Sequence, residues 1–227
     1  MREIVLDTET TGIDALNGDR VVEIGCVELM NHVATGRTYH QYINPERDMP
    51  IEAFNVHGLS TEFLSGQPTF AEIVGPFLDF IQDSPLVIHN ATFDVGFLNA
   101  ELTRLGMRTL PAARAIDTVV LARRRFPGAP ASLDALCRRF EIDNSARSYH
   151  GALLDAQLLA EVYLELLGGR QPDLVLAPTG AQAAASFRTD RPRREPRPHA
   201  PLPEELEAHE AFLKGFKTPP LWQTRSS

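Results

Sequence analysis

The run Glu3-Ile-Val-Leu-Asp-Thr-Glu9 constrains this chain more than any other segment. Glu3 to Thr8 reads as a buried strand, and Thr10-Thr11-Gly12 as the turn that follows it. Side chains two apart on a strand share a face, so Asp7 and Glu9 point the same way. Two carboxylates held side by side repel each other, and burying them without a counter-charge is costly. A sheet built on this strand must therefore leave them in solvent at a strand end or bring something positive to them.

The pattern continues with apolar-rich runs from Arg20 to Leu29 and from Arg37 to Ile43, separated by a turn-like stretch from Met30 to Gly36. Three such runs suggest an antiparallel meander. Helical spacing follows in Phe70, Ile73, Val74, Phe77, Leu78 and Ile81, stopped by Asp83-Ser84-Pro85. Leu86-Val87-Ile88 reads as a short strand, and Asn90 as the N-cap of a helix striped by Phe93, Phe97, Leu98 and Leu102. Further helices are expected over about 116–125, 132–140 and 152–167, the last stopped by Gly168-Gly169. Strands first and helices after predict an α/β fold, a mixed sheet flanked by helices.

The composition of the 227 residues, 43% hydrophobic and 23% charged, excludes wholesale disorder and collagen-like or coiled-coil identities. There is no apolar run long enough to span a membrane and no secretory signal pattern, so the expected location is cytoplasmic. Cys26 and Cys137 are far apart and form no metal-binding pair, and both read as buried small hydrophobes. The net charge is −8, which ordinarily argues against a nucleic-acid partner unless the acids hold metal. Residues 1–168 carry −10, 169–200 carry +3 and the remainder −1. The composition thus breaks near Gly168-Gly169, predicting a domain over 1–169, a linker over 170–202 with its unstructured part over about 177–202, and a short tail over 203–227. In the tail, Leu206, Phe212, Leu213 and Phe216 fall on one side of an amphipathic helix spanning Leu202 to Phe216, ahead of Pro219-Pro220-Leu221-Trp222.

Two more acids sit where a neutral residue would be less costly. Asp94 lies among Phe93, Val95 and Phe97, and Asp155 among Leu153, Leu154, Leu158 and Leu159. With Asp7 and Glu9 they make a set of hard oxygen ligands suited to Mg²⁺ or Mn²⁺ rather than zinc. Asp7-Thr-Glu9-Thr-Thr-Gly12, His89-Asn90-Ala-x-Phe93-Asp94 and His150-x4-Asp155, in that order, resemble the three exonuclease motifs of the DEDD superfamily. With Gly151 where the tyrosine branch would have its tyrosine, and a histidine at 150, the chain is identified with the histidine branch.

The resemblance implies a ribonuclease H-like fold and two divalent metal ions held by Asp7, Glu9, Asp94 and Asp155, with Asp7, Glu9 and Asp155 also meeting substrate. It implies hydrolysis from the 3′ end to nucleoside 5′-monophosphates, with His150 as general base. Histidine ordinarily exchanges a proton near neutral pH. Five residues before Asp155 on one continuous helix, His150 would be rotated away by about 140°, so it serves only if it lies on the loop ahead of that helix. Glu52-Ala-Phe-Asn-Val-His57-Gly58 resembles the family segment that packs on the terminal nucleotide. Carried over, Glu52 and His57 meet the 3′-terminal sugar and Val56 wedges at the base, with Thr10 and Asn90 as further substrate contacts. The alternative is a structural helix and glycine turn. His32, His40, His89, His199 and His209 lack ligand spacing and read as structural. Arg123-Arg124-Arg125 and Arg138-Arg139 read either as phosphate attractors or as solvated helix faces.

Within the superfamily, Met1 to about Gly169 is similar to the epsilon-type proofreading exonucleases of bacterial DNA polymerase III, which implies a single-stranded or frayed 3′ end of DNA as substrate. Gln171-Pro-Asp-Leu174-Val-Leu176 resembles a sliding-clamp peptide, and the tail would dock on the polymerase alpha subunit as a helix in a groove. An RNA-trimming exonuclease and a non-catalytic polymerase subunit remain the alternative functions at this point.

Overall fold

The computed structural model describes residues 1–145, 149–169 and 200–216. The clamp-like peptide Gln171 to Leu176, His199, almost all of the expected linker and the Pro219-to-Trp222 end lie outside these described residues. The chain divides into two units, Met1–Leu174 and Val175–Ser227.

The first unit is built on a five-stranded sheet. Its strands are β1 (Arg2–Thr10), β2 (Val21–Met30), β3 (Val33–Tyr42), β4 (Leu86–Ile88) and β5 (Ala115–Asp117), in the order β3-β2-β1-β4-β5. β1 to β3 pair antiparallel, as the meander predicted, while β4 lies parallel to β1 and β5 parallel to β4. The hairpin between β2 and β3 turns through Asn31 and His32 alone, both at positive φ (51° and 68°), where the sequence suggested a turn running on to Gly36. Val33 to Gly36 are exposed on an edge strand, so burial imposes no alternation that would mark them as a strand.

The helices are α1 (Ile51–His57), α2 (Thr61–Ser65), α3 (Phe70–Ile81), α4 (Ala91–Arg104), α5 (Thr118–Arg125), α6 (Leu133–Phe140) and α7 (Ala152–Leu166). The helix expected over 116–125 begins two residues later, because Ala115-Ile116-Asp117 add the fifth strand and the Asp117 carboxylate then caps α5 by accepting from Val119 N–H. On β1, even positions Ile4 and Leu6 pack with Phe70, Phe77, Leu98 and Leu102 of α3 and α4. Val5 packs on the other face with Leu136, Ala156, Leu159 and Val162 of α6 and α7. Consequently Thr8 faces the α4 layer, whereas Asp7 and Glu9 face the α7 layer.

Gly25, paired with Asp7 across β1 and β2, lets the start of α7 lie directly on the sheet; a β-carbon there would overlap the backbone of Ala152 and Leu153. Buried carboxylates outside the α7 end of the sheet have explicit partners. Glu101 accepts from Arg20, Glu28 from Arg2 and Arg37, and Glu3 from the Tyr163 hydroxyl. Cys26 and Cys137 are both buried in the core, and neither is in a disulfide.

In the second unit the tail forms α8 (Pro203–Lys214), with Glu204 and Glu205 in its first turn and Lys214 in its last, matching the helix dipole. Leu206 and Phe212 are exposed on it and Phe216 just past its end, and Phe212 and Phe216 stack edge to face with ring centroids 5.1 Å apart. Among the described residues no helix is long and apolar enough to cross a membrane.

Candidate active site

Parallel strands deliver their chains to the C-terminal end of the sheet, and there the sequence-predicted residues gather. A cleft of ≈ 300 Å³ is lined by Asp7, Glu9, Asp94, His150 and Asp155. Glu9, Asp94 and Asp155 are buried. Glu9, Asp155 and His150 each offer a ligand atom within 4.8 Å of the others, and Asp7 and Asp94 complete the same wall.

Each side chain arrives for a local reason. Asp7 and Glu9 alternate with Thr8 on β1, so Thr8 reaches back to α4. Its backbone N–H and hydroxyl both donate to Asp94 Oδ1, at 3.1 and 2.7 Å. Burial pushes the Asp94 carboxyl up to about 7, against the pull of these Thr8 hydrogen bonds. Asp94 occupies the first turn of α4, whose start is fixed in a way the sequence did not announce. Asn90 stands at the N-cap position but in the left-handed region (φ 65°, ψ 54°), and its side chain makes no cap hydrogen bond. The Asp117 carboxylate does the capping instead, accepting from Asn90 N–H (3.3 Å) and Ala91 N–H (3.2 Å) as well as from Val119 N–H (2.8 Å). Asn90 lines none of the cavities described here.

His150 lies on the loop ahead of α7, as the base reading requires, with Gly151 extended between them. Its Nδ1 is 3.3 Å from Asp155 Oδ2, and its backbone N–H donates to the Val56 carbonyl at 3.1 Å. That second bond ties the His150 loop to α1, the helix bearing Glu52, Val56 and His57. Glu52, Val56, His57 and Thr10 share a cavity of ≈ 530 Å³ that adjoins the acidic cleft through Thr8, Glu9 and Phe93. His57 is buried and accepts at Nδ1 from Leu59 N–H (3.0 Å), and desolvation lowers its pKa.

Two residues that the sequence did not mark for the site also line the acidic cleft: His89, which reads as structural, and Asp134. His89 Nδ1 is 2.9 Å from the Thr118 hydroxyl, linking α4's lead-in to α5. Asp134 sits in the first turn of α6 behind the Ser132 cap, a placement that looks like ordinary helix charge patterning. Only its distance from the other acids in space marks it, and no sequence spacing encodes that. Of the arginine runs, Arg125 donates to the Glu165 and Leu166 carbonyls and Arg139 sits over the Phe126 ring at 4.5 Å. Arg138 lines a cavity next to His150.

The family model described as exonuclease (RNase_T) matches residues 4–163. Among solved structures the chain is similar to the nuclease domain of 3′hExo, a DEDDh family member bound to rAMP (TM-score 0.63, 18% identity, 73% of this chain and 91% of that one). It is also similar to exonuclease X in complex with 5′ overhanging duplex DNA (TM-score 0.57, 23% identity, 72% and 90%). Sheet order and acidic cleft define an exonuclease-type ribonuclease H-like fold, a class whose histidine branch depends on divalent metal. DNA polymerase III subunit epsilon of Rickettsia conorii is 51% identical over 219 residues, covering 94% of this chain and 95% of that protein. The Escherichia coli protein of the same name is 46% identical over 225 residues, covering 93% and 92%. The chain belongs to the exonuclease (RNase_T) family and, within it, to the DNA polymerase III epsilon subunits.

Proposed function

We propose that this chain is the 3′-to-5′ proofreading exonuclease of a bacterial DNA polymerase III, working in the cytoplasm and releasing nucleoside 5′-monophosphates from a single-stranded or frayed 3′ end. The observation that carries the reading is the convergence of Asp7, Glu9, Asp94, Asp155 and His150 on one cleft from three separate segments.

The donor set fits hard divalent cations, because carboxylate oxygens dominate it and three of the four acids are buried. Asp7, Glu9, Asp94 and Asp155 would hold two ions, Mg²⁺ or Mn²⁺. When bound, such a pair stabilises the attacking and leaving oxygens of a phosphodiester displacement. His150 accepts the proton of the attacking water, and its contact with Asp155 holds the ring toward the cleft. Thr8 keeps the Asp94 carboxylate aimed inward. Glu52 and His57 hold the terminal sugar, and Val56, exposed on α1, wedges at the base. A mismatched terminus frays at lower cost than a paired one, so a site built for one strand selects errors without reading them.

The exposed Leu206 and Phe212 of α8, with Phe216 just beyond it, support docking on the polymerase alpha subunit, and residues 170–202 act as the tether. Gln171 to Leu176 is the segment we assign to the sliding clamp.

The test is mononucleotide release from a 3′-mismatched DNA primer and from an RNA oligomer, with Mg²⁺ or chelator, for wild type and His150→Ala. Metal-dependent release that favours mismatched DNA and collapses in the variant is the expected result. Preference for RNA would move the chain to RNA trimming, and no hydrolysis of either would leave a structural subunit.

A further inference from the structure

Three cavities meet at the site, and their shared walls define the path of a strand through it. The acidic cleft shares Thr8, Glu9 and Phe93 with the cavity of Glu52 and His57. On its other side it shares Asp134 and His150 with a third cavity, of ≈ 610 Å³. Val56 lines both outer cavities and so forms the ridge between them. A strand whose terminal nucleotide rests by Glu52 and His57, with its scissile phosphodiester among the acids, continues from there along the His150 side.

We propose that the third cavity is the subsite for the penultimate nucleotide, with the Arg138 guanidinium meeting its backbone phosphate and the Tyr149 ring stacking on its base. This rests on the exonuclease reading above, and it adds residues which that reading leaves unused. Arg138 is one turn beyond Asp134 on α6, so both project from one face of the helix. Arg125 and Arg139 are occupied by α7 carbonyls and the Phe126 ring, whereas Arg138 is exposed and has no hydrogen bond or ion pair with the described residues. Tyr149 is 60% exposed, an aromatic surface next to the base-bearing loop. Asn55 and Asn144 add amides to the wall, and Asn144 Nδ2 donates to Asp134 Oδ1 at 3.2 Å. Asp134, the one carboxylate among the described residues that line this cavity, stands on the wall shared with the acidic cleft, which leaves Arg138 and the amides to the rest of it. A guanidinium on the backbone with a ring under a base is a sequence-tolerant way to hold single-stranded DNA. Val56 then separates the terminal base from the next one, so its wedge has a base on either side.

The test uses the full chain and two substrates. One is a single-stranded DNA decamer. The other is the p-nitrophenyl ester of thymidine 5′-monophosphate, in which p-nitrophenolate replaces the upstream nucleotides as leaving group. Arg138→Ala should raise KM on the decamer about fivefold relative to its effect on the ester, the size of one exposed charge pair. It should also flatten the log–log salt dependence of kcat/KM by about 0.7, the value of one single-strand phosphate contact. Arg138→Lys should restore the salt slope. Tyr149→Ala should cost about tenfold more on the decamer than on the ester, and Tyr149→Phe should retain the stack. Equal losses on both substrates, or an unchanged salt slope in Arg138→Ala, would overturn the subsite. Wild type that cleaves neither substrate would instead remove the exonuclease reading, and the subsite with it.

Discussion

Gly25→Ala adds one methyl group at the point where the sheet and the site-bearing helix touch. A β-carbon at Gly25 overlaps backbone atoms of Ala152 and Leu153, so no side chain can rotate away to make room. Overpacking of a core commonly costs about 1–3 kcal/mol, and a backbone contact belongs at the upper end. For a catalytic unit of this size, about 3 kcal/mol corresponds to a fall in melting temperature of roughly 6–12 °C. The alternative to staying strained is for α7 to slide outward, and it begins two residues after His150 and carries Asp155. A displacement of about 1 Å at a catalytic group can cost about 100-fold in rate. Gly96→Ala is the matched control, because Gly96 lies on the exposed face of α4 with open space around it and no proline after it, and should stabilise by roughly 0.5–1 kcal/mol. The assay is a thermal melt together with kcat on a DNA oligomer well below the lower melting point, where the folded fraction is complete. Gly25→Ala that melts with wild type and turns over at the wild-type rate would refute the contact and the role given to it.

Asp117→Ala removes the acceptor of three backbone N–H groups at the starts of α4 and α5, and urea unfolding should show a loss of about 1–2 kcal/mol, partly recovered in Asp117→Asn. The Asp94 carboxyl, raised by burial to about 7 in the folded chain, is ordinarily ionised above about pH 4 when unfolded. Its contribution to the stability of chelated protein is therefore complete at low pH and is lost as pH rises through about 4 to 7. Melts of wild type against Asp94→Asn across that range in chelator should converge or cross in that direction, and parallel curves would contradict it. Deleting residues 203–227 should leave nuclease activity on a DNA oligomer intact and abolish co-purification with the polymerase; retained co-purification would move the docking surface elsewhere.

What was legible in the sequence followed from how strongly burial and charge conflict. Asp94 and Asp155 stand in apolar company and Asp7 and Glu9 share a face at the end of an apolar strand, and that mismatch is visible without coordinates. The long apolar stripes of α3, α4 and α7 were equally plain because many residues repeat one spacing. β5, with three residues, and α2, with five, offer too few repeats to show a period. β3 begins early because an exposed edge strand needs no hydrophobic alternation. Asn90 has the right residue type for a cap, yet it adopts a left-handed backbone and the cap comes from Asp117, 27 residues away. His89, Asp134 and the separate fates of Arg125, Arg138 and Arg139 depend on which way neighbouring elements face, and local composition carries no record of that.

An acidic chain that handles a polyanion must keep its own charge from repelling the substrate, and the placement of the acids sets where that repulsion acts. Glu28 and Glu101 are matched at short range by Arg2, Arg37, Arg20 and Arg104, so they contribute little field outside the core. Asp7, Glu9, Asp94 and Asp155 instead gather in the one cleft that we propose receives the scissile phosphate. Cation binding and DNA binding are then linked, each strengthening the other. Removing the divalent ions should weaken DNA binding, and removing cleft charge should reverse that loss. At contact distance in water one like-charge pair costs about 1 kcal/mol, so Asp7→Asn with Glu9→Gln should gain about 2 kcal/mol, or roughly 30-fold, in affinity for a single-stranded oligomer in chelator. Fluorescence anisotropy with labelled DNA measures this directly, and raising the salt should shrink the difference. A double variant that binds no tighter than wild type in chelator would mean that the four carboxylates do not form the barrier, and that neutralisation of the cleft is not what divalent metal contributes to binding.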